Sequence, residues 1–239
     1  MAVRFPGTRG EIELRSERHR RHSVLFLTVA RRRVLVDCGD DWLNELAELA
    51  PDAIVLTHAH RDHAGGLRQG AACPVYATDE TWARIARYPI ELREHVSPNR
   101  PFDILGITFE AFPVEHSLVA PAVGYKIGSA GHVVFYAPDL VSIPEQADAL
   151  RGISVYVGDG ASVTRPIVRR RGDARIGHAS IREQLDWCVA EGVTRAVFTH
   201  CGSEILRNEE AAQSRVVALG RERGVRATIA HDGLRIQDL

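Results

Sequence analysis

Short apolar runs alternate with helical patterns along the chain. Val24–Val29 and Val34–Val36 read as strands, parted by the charged turn Arg31–Arg33. Asp41–Ala50 reads as a helix with Leu43, Leu46, Ala47 and Ala50 on one face, stopped by Pro51. Ala53–Leu56 is a buried strand that delivers the chain into His58. A short helix near Gly65–Gln69, a strand at Val75–Ala77 and a helix from Asp79 to Ala86 with Asp79 as its N-cap come next. Residues 88–103, with Pro89, Pro98 and Pro101, read as an irregular loop. Ile107–Val114, Val123–Ile127 and Val133–Ala137 read as strands, the last two joined by a hairpin at Gly128–Gly131. After a strand at Ile153–Val157, residues 158–177 read as a loop. Ser180–Ala190 is a helix with Ile181, Leu185, Cys188 and Val189 at helical spacing, and Ala196–Phe198 is a strand ending at His200. A helix over Glu209–Arg223 and strands at Val225–Ala230 and Leu234–Ile236, turned at Asp232-Gly233, close the chain.

The strands fall into two blocks, each followed by helices. This predicts an α/β (α+β) chain in which two sheets pack face to face with helices outside, a four-layer αββα sandwich. A doubly wound parallel sheet is the alternative, weakened because no glycine-rich phosphate loop follows the first strand. At 239 residues and 26.4 kDa, a single domain over 1–239 is expected to bury about 70% of its surface without staples. The hydrophobic fraction of 45% and charged fraction of 26% exclude disordered and collagen-like chains. No apolar run approaches the ~18 residues that span a bilayer, and the first 22 residues lack the apolar core of a signal peptide. The four cysteines form no CxxC pair, so they read as reduced and the chain as cytoplasmic. A net charge of -1 argues against a general nucleic-acid coat. Two biases remain: Lys126 is the only lysine among 30 basic residues, and there are eleven histidines.

The histidines point to chemistry. Thr57-His58-Ala59-His60-Arg61-Asp62-His63 sets three imidazoles and a carboxylate within six residues at the mouth of a buried strand, with Gly65-Gly66 directly after. Neutral imidazole with carboxylate oxygen is a ligand set for zinc and similar divalent ions. A chance cluster in a solvated loop would not need that compact surrounding.

This segment resembles the HxHxDH signature of the metallo-β-lactamase fold hydrolases, and the resemblance runs over the whole chain. It implies further ligands at the ends of strands. His116 follows Ile107–Val114, Asp139 follows Val133–Tyr136, and His200 follows Ala196–Phe198. One metal would then be held by His58, His60 and His116, the other by Asp62, His63 and His200, with Asp139 bridging. His231, in a hairpin-turn context, competes with His200 for the last place. The implied cofactors are two divalent ions, zinc first, with manganese or iron as alternatives.

Gly177-His178-Ala179-Ser180 is similar to the Gly-His-Ser-Thr element of tRNase Z and of cyclic-phosphate phosphodiesterases. That similarity implies that His178 touches the scissile phosphate and protonates the leaving oxygen. By itself, His178 would read as a surface histidine at a helix start. Two departures stand out: Tyr136 occupies the place of a glutamate that pairs with the catalytic histidine, and there is no long glycine- and proline-rich arm. Both favour a small or cyclic phosphodiester over tRNA or another long nucleic acid. The implied mechanism is attack by a metal-bridging hydroxide, with Asp62 orienting it or taking its proton and His178 serving the leaving group. Lactonases and thioesterases share the ligand set, and a non-catalytic metal-binding scaffold is the reading from another class.

Other residues carry less. His19, His22 and His95 read as solvated, and His132 as structural. Cys38 follows Asp37 at a strand end, and Cys201 adjoins a ligand position. Asp159 reads as a turn residue or as a support to the site. Arg165 and Arg169–Arg171 read as a solvated run or as a reach toward substrate phosphate. No membrane partner is expected, and a homodimer is left open.

Overall fold

The computed structural model describes residues 1–236; the last three residues of the expected 1–239 domain lie outside the described residues. The first sheet comprises β1 (Ala2–Gly7), β2 (Val24–Val29), β3 (Arg32–Val36), β4 (Ala53–Val55), β5 (Val75–Ala77), β6 (Arg93–His95) and β16 (Arg235–Ile236), in the order β16-β1-β2-β3-β4-β5-β6. The second comprises β7 (Pro101–Ile104), β8 (Ile107–Val114), β9 (Ala122–Ser129), β10 (His132–Tyr136), β11 (Val155–Asp159), β14 (Arg195–Thr199) and β15 (Arg226–Ile229), in the order β15-β14-β11-β10-β9-β8-β7. β12 (Ile167–Arg171) and β13 (Ala174–His178) form a separate antiparallel ribbon. The helices are α1 (Leu46–Leu49), α2 (Arg61–Ala64), α3 (Asp79–Arg84), α4 (Gln146–Leu150), α5 (Ile181–Ala190), α6 (Ser203–Arg207) and α7 (Glu209–Glu222).

Period-two alternation builds the layers. Leu25 and Leu27 of β2, Phe109 and Ala111 of β8, and Val134 and Tyr136 of β10 share one core between the sheets. The alternate residues Val24 and Phe26 face a second core with Trp42, Leu67 and Trp82. Phe112 and Phe135 face a third with Ile181, Leu185, Ile205 and Val216 of α5, α6 and α7. Both faces of each sheet are therefore covered, giving the expected αββα order. β3, β4, β5 and β6 run parallel, as do β10, β11, β14 and β15. The loops leaving their C-terminal ends gather along one rim, the usual place for a site in such sheets.

Several local expectations are corrected. The helix expected over Asp41–Ala50 reduces to a 3-10 turn at Asp40–Trp42 and the single turn α1. Trp42 fills the core there, while Ala47 and Ala50 of the expected apolar face are exposed. The helix expected near Gly65 begins at Arg61, which puts Asp62 and His63 on its first turns. Thr78, not Asp79, caps α3 by accepting from the Thr81 amide. Residues 88–103 include β6 and most of β7, and residues 158–177 include β12 and most of β13. The last two strands are not a hairpin, because β15 pairs with β14 and β16 with β1 in the other sheet. β1 itself was not anticipated; it buries Val3, Phe5 and Gly7 in alternation.

His19 and His22 are buried rather than solvated. His19 Nδ1 lies 2.8 Å from Thr8 Oγ1, which donates to Asp232 at 2.7 Å. The His22 backbone amide donates to Asp41, which also pairs with Arg9 and Arg15. Burial lowers the pKa of both histidines, and with Arg9 beside it His22 falls to about 4 despite Asp41. From the ordinary value of 6.5 down to about 4, the unfolded chain therefore binds protons that the native chain does not. Stability falls as pH drops through that window. Thermal melts from pH 7 to 4.5 should show a drop in Tm that is smaller in His22→Gln; an equal drop in both proteins would contradict this assignment.

Candidate metal centre and its flanking histidine

Each proposed ligand sits where an apolar element ends. β4 runs into Thr57-His58, β8 into Glu115-His116, β10 into Asp139 and β14 into His200, while α2 presents Asp62 and His63. The structure brings all seven together in two groups that share Asp139: His58, His60 and His116, and Asp62, His63 and His200. Within each group the ligand atoms all lie within 4.8 Å of one another. His60 Nδ1 lies 3.0 Å from His58 Nε2 and 3.2 Å from His116 Nε2. Asp139 Oδ2 lies 3.3 Å from the Nε2 atoms of both His63 and His116 and 3.5 Å from that of His58. Asp62 Oδ2 lies 3.0 Å from His200 Nε2 and 3.1 Å from His63 Nε2.

The far side of three of the rings, those of His58, His63 and His116, is fixed by a partner, as metal-ligating histidines require. His63 Nδ1 donates to Asp37 Oδ2 at 2.9 Å. Thr57 donates to the same carboxylate from its hydroxyl at 2.9 Å and its amide at 2.8 Å. With its proton spent there, Thr57 Oγ1 accepts from His58 Nδ1 at 3.0 Å. His116 Nδ1 donates to the Gly177 carbonyl at 3.0 Å. These bonds leave the Nε2 lone pairs of His58, His63 and His116 turned toward Asp139 and the neighbouring imidazoles. Burial, reinforced by the neighbouring imidazoles, pushes His60 down to about 4 and His58 and His116 below the usual imidazole range, so these three imidazoles are neutral at pH 7 and able to ligate a metal.

The second group is charged. Burial opposes charge there, but His63 and His200 hold the Asp62 and Asp139 carboxyls well below their ordinary range. Burial likewise opposes protonation of His200, yet Asp139 and Asp62 raise it to about 10. His63 Nε2, Asp139 Oδ1 and His200 Nδ1 are buried and make no well-directed hydrogen bond among the described residues, although His200 Nδ1 lies 2.8 Å from Asp139 Oδ1 and His63 Nε2 3.1 Å from Asp62 Oδ2. Converging lone pairs, buried carboxylates and these orphaned atoms fit divalent cations. His200 also has φ 54°, a left-handed conformation costly for a residue with a Cβ. Its amide is pinned by Ser23 Oγ at 2.7 Å, and the next amide, of Cys201, by the Thr8 carbonyl at 2.7 Å.

His178 stands beside this centre. Its ring stacks on His200 with centroids 5.6 Å apart and meets His116 edge-on at 5.2 Å. Nδ1 donates to Asp159 Oδ2 at 2.8 Å, leaving Nε2 without a partner among the described residues. Burial would lower its pKa, but the fully buried Asp159 outweighs that and raises it. Asp159, the last residue of β11, is fixed in turn by the amides of Ala161 and Leu140. This resolves the open reading of Asp159: it supports the site. Tyr136 is fully buried in the core between the sheets, so it does not replace the missing glutamate; Asp159 holds the ring instead. Gly177 explains the dipeptide Gly177-His178. Its φ is 125° and a Cβ there would meet the Ile167 carbonyl at 1.9 Å, so only glycine lets β13 close against His116.

A cavity of about 630 Å³ opens over these groups. His60, Asp62, His116, Asp139, His178 and His200 line it, and Gly10–Ile12, Arg61, Ile167 and Glu204 wall it. Gly10–Ile12 and Ile167 gave no signal in the sequence, since they belong to segments remote from the proposed ligands. His231 lies outside the cluster, its Nδ1 donating to the Asp232 carbonyl. His95 is exposed and pairs with Asp79. His132 begins β10, half-buried. The four cysteines are free and buried. Arg165 and Arg169–Arg171 are exposed and do not line the cavity.

Residues 32–201 match the model of the beta-lactamase superfamily domain. Over 95% of its length the chain is 27% identical to a Porphyromonas gingivalis protein named octanoyltransferase, of which it spans only 48%. It is 26% identical to ribonuclease Z of Mycobacterium bovis, the match covering 70% of this chain and 74% of that protein. Among solved structures, zinc-bound PqqB from Methylobacterium extorquens superposes with a TM-score of 0.78 at 18% identity, covering 100% of both chains. A diphosphatase of the PhnP family superposes with a TM-score of 0.70 at 20% identity, covering 100% of this chain and 98% of the other.

Proposed function

This chain belongs to the beta-lactamase superfamily as a metal-dependent hydrolase, and on that premise we propose that it cleaves phosphodiesters with two divalent ions. His58, His60 and His116 would hold one ion and Asp62, His63 and His200 the other, with Asp139 between them. When bound, such ions polarise phosphoryl oxygens and acidify water. Zinc suits the imidazole-rich donor set best, and zinc is the metal bound in the PqqB structure.

The observation that carries the choice of phosphorus is the His178–Asp159 pair. Hydrolysis of a thioester at a metal pair needs no added acid of this kind, because a thiolate leaves readily. A phosphodiester with an alkoxide leaving group does. A lactone, which also expels an alkoxide, is separated from a phosphodiester by the substrate panel below. Asp159 takes Nδ1–H, so the proton on Nε2 points into the cavity and passes to the departing oxygen. The raised pKa keeps that proton available near neutral pH. The Asp62 carboxylate, which lines the cavity floor, takes the proton released by the attacking water. Similarity to ribonuclease Z and to the PhnP-family diphosphatase supports phosphorus chemistry.

The test is a panel on the metal-loaded chain: bis(p-nitrophenyl) phosphate, 2′,3′-cyclic nucleotides, a lactone and a thioester. The proposal expects the phosphodiesters to be turned over with the highest kcat/KM. Faster lactone or thioester hydrolysis would overturn it.

A further inference from the structure

The ribbon β12–β13 carries the arginines that the cavity does not use. Between residues 165 and 178 there are five arginines and one acid, Asp173. Arg175 is engaged by Glu115, with contacts of 2.9 and 2.6 Å. Arg169, Arg170 and Arg171 are exposed and have no hydrogen-bond or ion-pair partner among the described residues. The near-neutral net charge averages this concentration away.

The register decides where these side chains lie. Residues directly opposite in an antiparallel pair share a face, and so do alternate residues along one strand. Ile167 pairs with His178, and both line the cavity. Arg169 and Arg171 follow Ile167 at two and four residues, on its face; Val168 and Arg170 occupy the other. With about 3.4 Å per residue, the two guanidinium bases stand roughly 7 and 14 Å beyond Ile167. This interval is comparable to the spacing of successive phosphates along an extended strand. Guanidinium forks match phosphate oxygens, and exposed arginines with no protein partner are free to take them.

We propose that this face of the ribbon is a phosphate rail, on which Arg169 and Arg171 hold the phosphates flanking the scissile one. The preferred substrate is then a single-stranded oligonucleotide, with one nucleotide unit in the cavity and its neighbours on the rail. The inference rests on the phosphodiesterase reading.

The test uses the zinc-loaded full chain and compares kcat/KM for bis(p-nitrophenyl) phosphate, a thymidine dinucleotide and a thymidine tetranucleotide at several salt concentrations. In the wild type, kcat/KM should rise with chain length. Arg169→Ala/Arg171→Ala should lower the tetranucleotide-to-diester ratio roughly tenfold, and should flatten the log–log salt slope by about 1.4 for two lost phosphate contacts. Arg170→Ala, on the opposite face, should leave the ratio in place. No chain-length effect in the wild type, with the diester cleaved, would overturn the rail alone. An equal effect of Arg170→Ala would overturn the assignment of the face. No cleavage of the diester by the wild type would overturn the phosphodiesterase reading, and the rail with it.

Discussion

Replacing Asp139 with alanine abolishes hydrolysis on this account, chiefly through the metal centre, although its carboxylate also lies 3.8 Å from His178 Nδ1. Its carboxylate faces Nε2 of His58, His63 and His116, and Nδ1 of His200 lies 2.8 Å away. No other side chain belongs to both ligand groups. Electrostatic stabilisation by a metal pair is worth several kcal/mol, and about 4 kcal/mol is a thousandfold in rate. A loss of kcat/KM of roughly that size or more is therefore expected, together with a lower metal content. The metal-free fold should also be affected, because His63 and His200 lose a carboxylate that holds their charge. Turnover within tenfold of wild type at full metal content would show that Asp139 does not join the two groups.

His178→Ala should separate the leaving-group role from the metal centre. Metal content should be unchanged, because none of the seven ligands is removed. For a phosphodiester with an alkoxide leaving group, kcat should fall roughly 10²- to 10⁴-fold, the usual worth of a general acid. For p-nitrophenoxide, which leaves without a proton, the loss should be much smaller. Equal losses across leaving groups would remove His178 from proton transfer. Asp159→Asn is the milder companion. It keeps one oxygen, so one of the Ala161 and Leu140 amides, which meet different oxygens of Asp159, loses its acceptor, and it loses the charge that raises the His178 pKa. The alkaline limb of the pH–kcat profile should then move to lower pH, because the protonated acid is lost sooner. A loss of rate with no movement of that limb would mark Asp159 as structural only.

What was legible in the sequence follows from how local each signal is. Four of the proposed ligands stand at the ends of buried strands, so an apolar run followed by His58, His116, Asp139 or His200 marks both the strand and the candidate site. The αββα order was legible because the strands fall into two blocks, each followed by helices, and the cores on both faces of each sheet agree with it. The Asp159–His178 bond was not, because it depends on the end of β11 meeting the end of β13 across 19 positions. β6 was hidden because its residues Arg93, Glu94 and His95 are polar, as suits an edge strand whose stability comes from backbone pairing with β5. The ribbon β12–β13 was hidden for the same reason, since every residue of β12 is exposed.

His19 and His22 show the opposite error. Their neighbours Arg18, Arg20 and Arg21 made the segment look solvated, yet Thr8, Asp232, Asp41 and Arg9 form a buried polar frame around it. That frame braces the start of the chain where Gly10, Glu11 and Ile12 wall the cavity. The turn at Asp232-Gly233 was read correctly as a turn, but a turn does not say which sheet its strands join. Gly233 donates its amide to the Phe5 carbonyl, and the chain crosses from one sheet to the other there.

The central claim is that one chain holds two ions through a shared carboxylate. The most direct measurement is metal counted by plasma mass spectrometry after loading the purified protein with zinc and removing the excess. The account predicts about two zinc ions per chain in the wild type, with fewer retained by Asp139→Ala. A wild-type value near zero, or tight occupancy by a single ion that Asp139→Ala leaves unchanged, would contradict it.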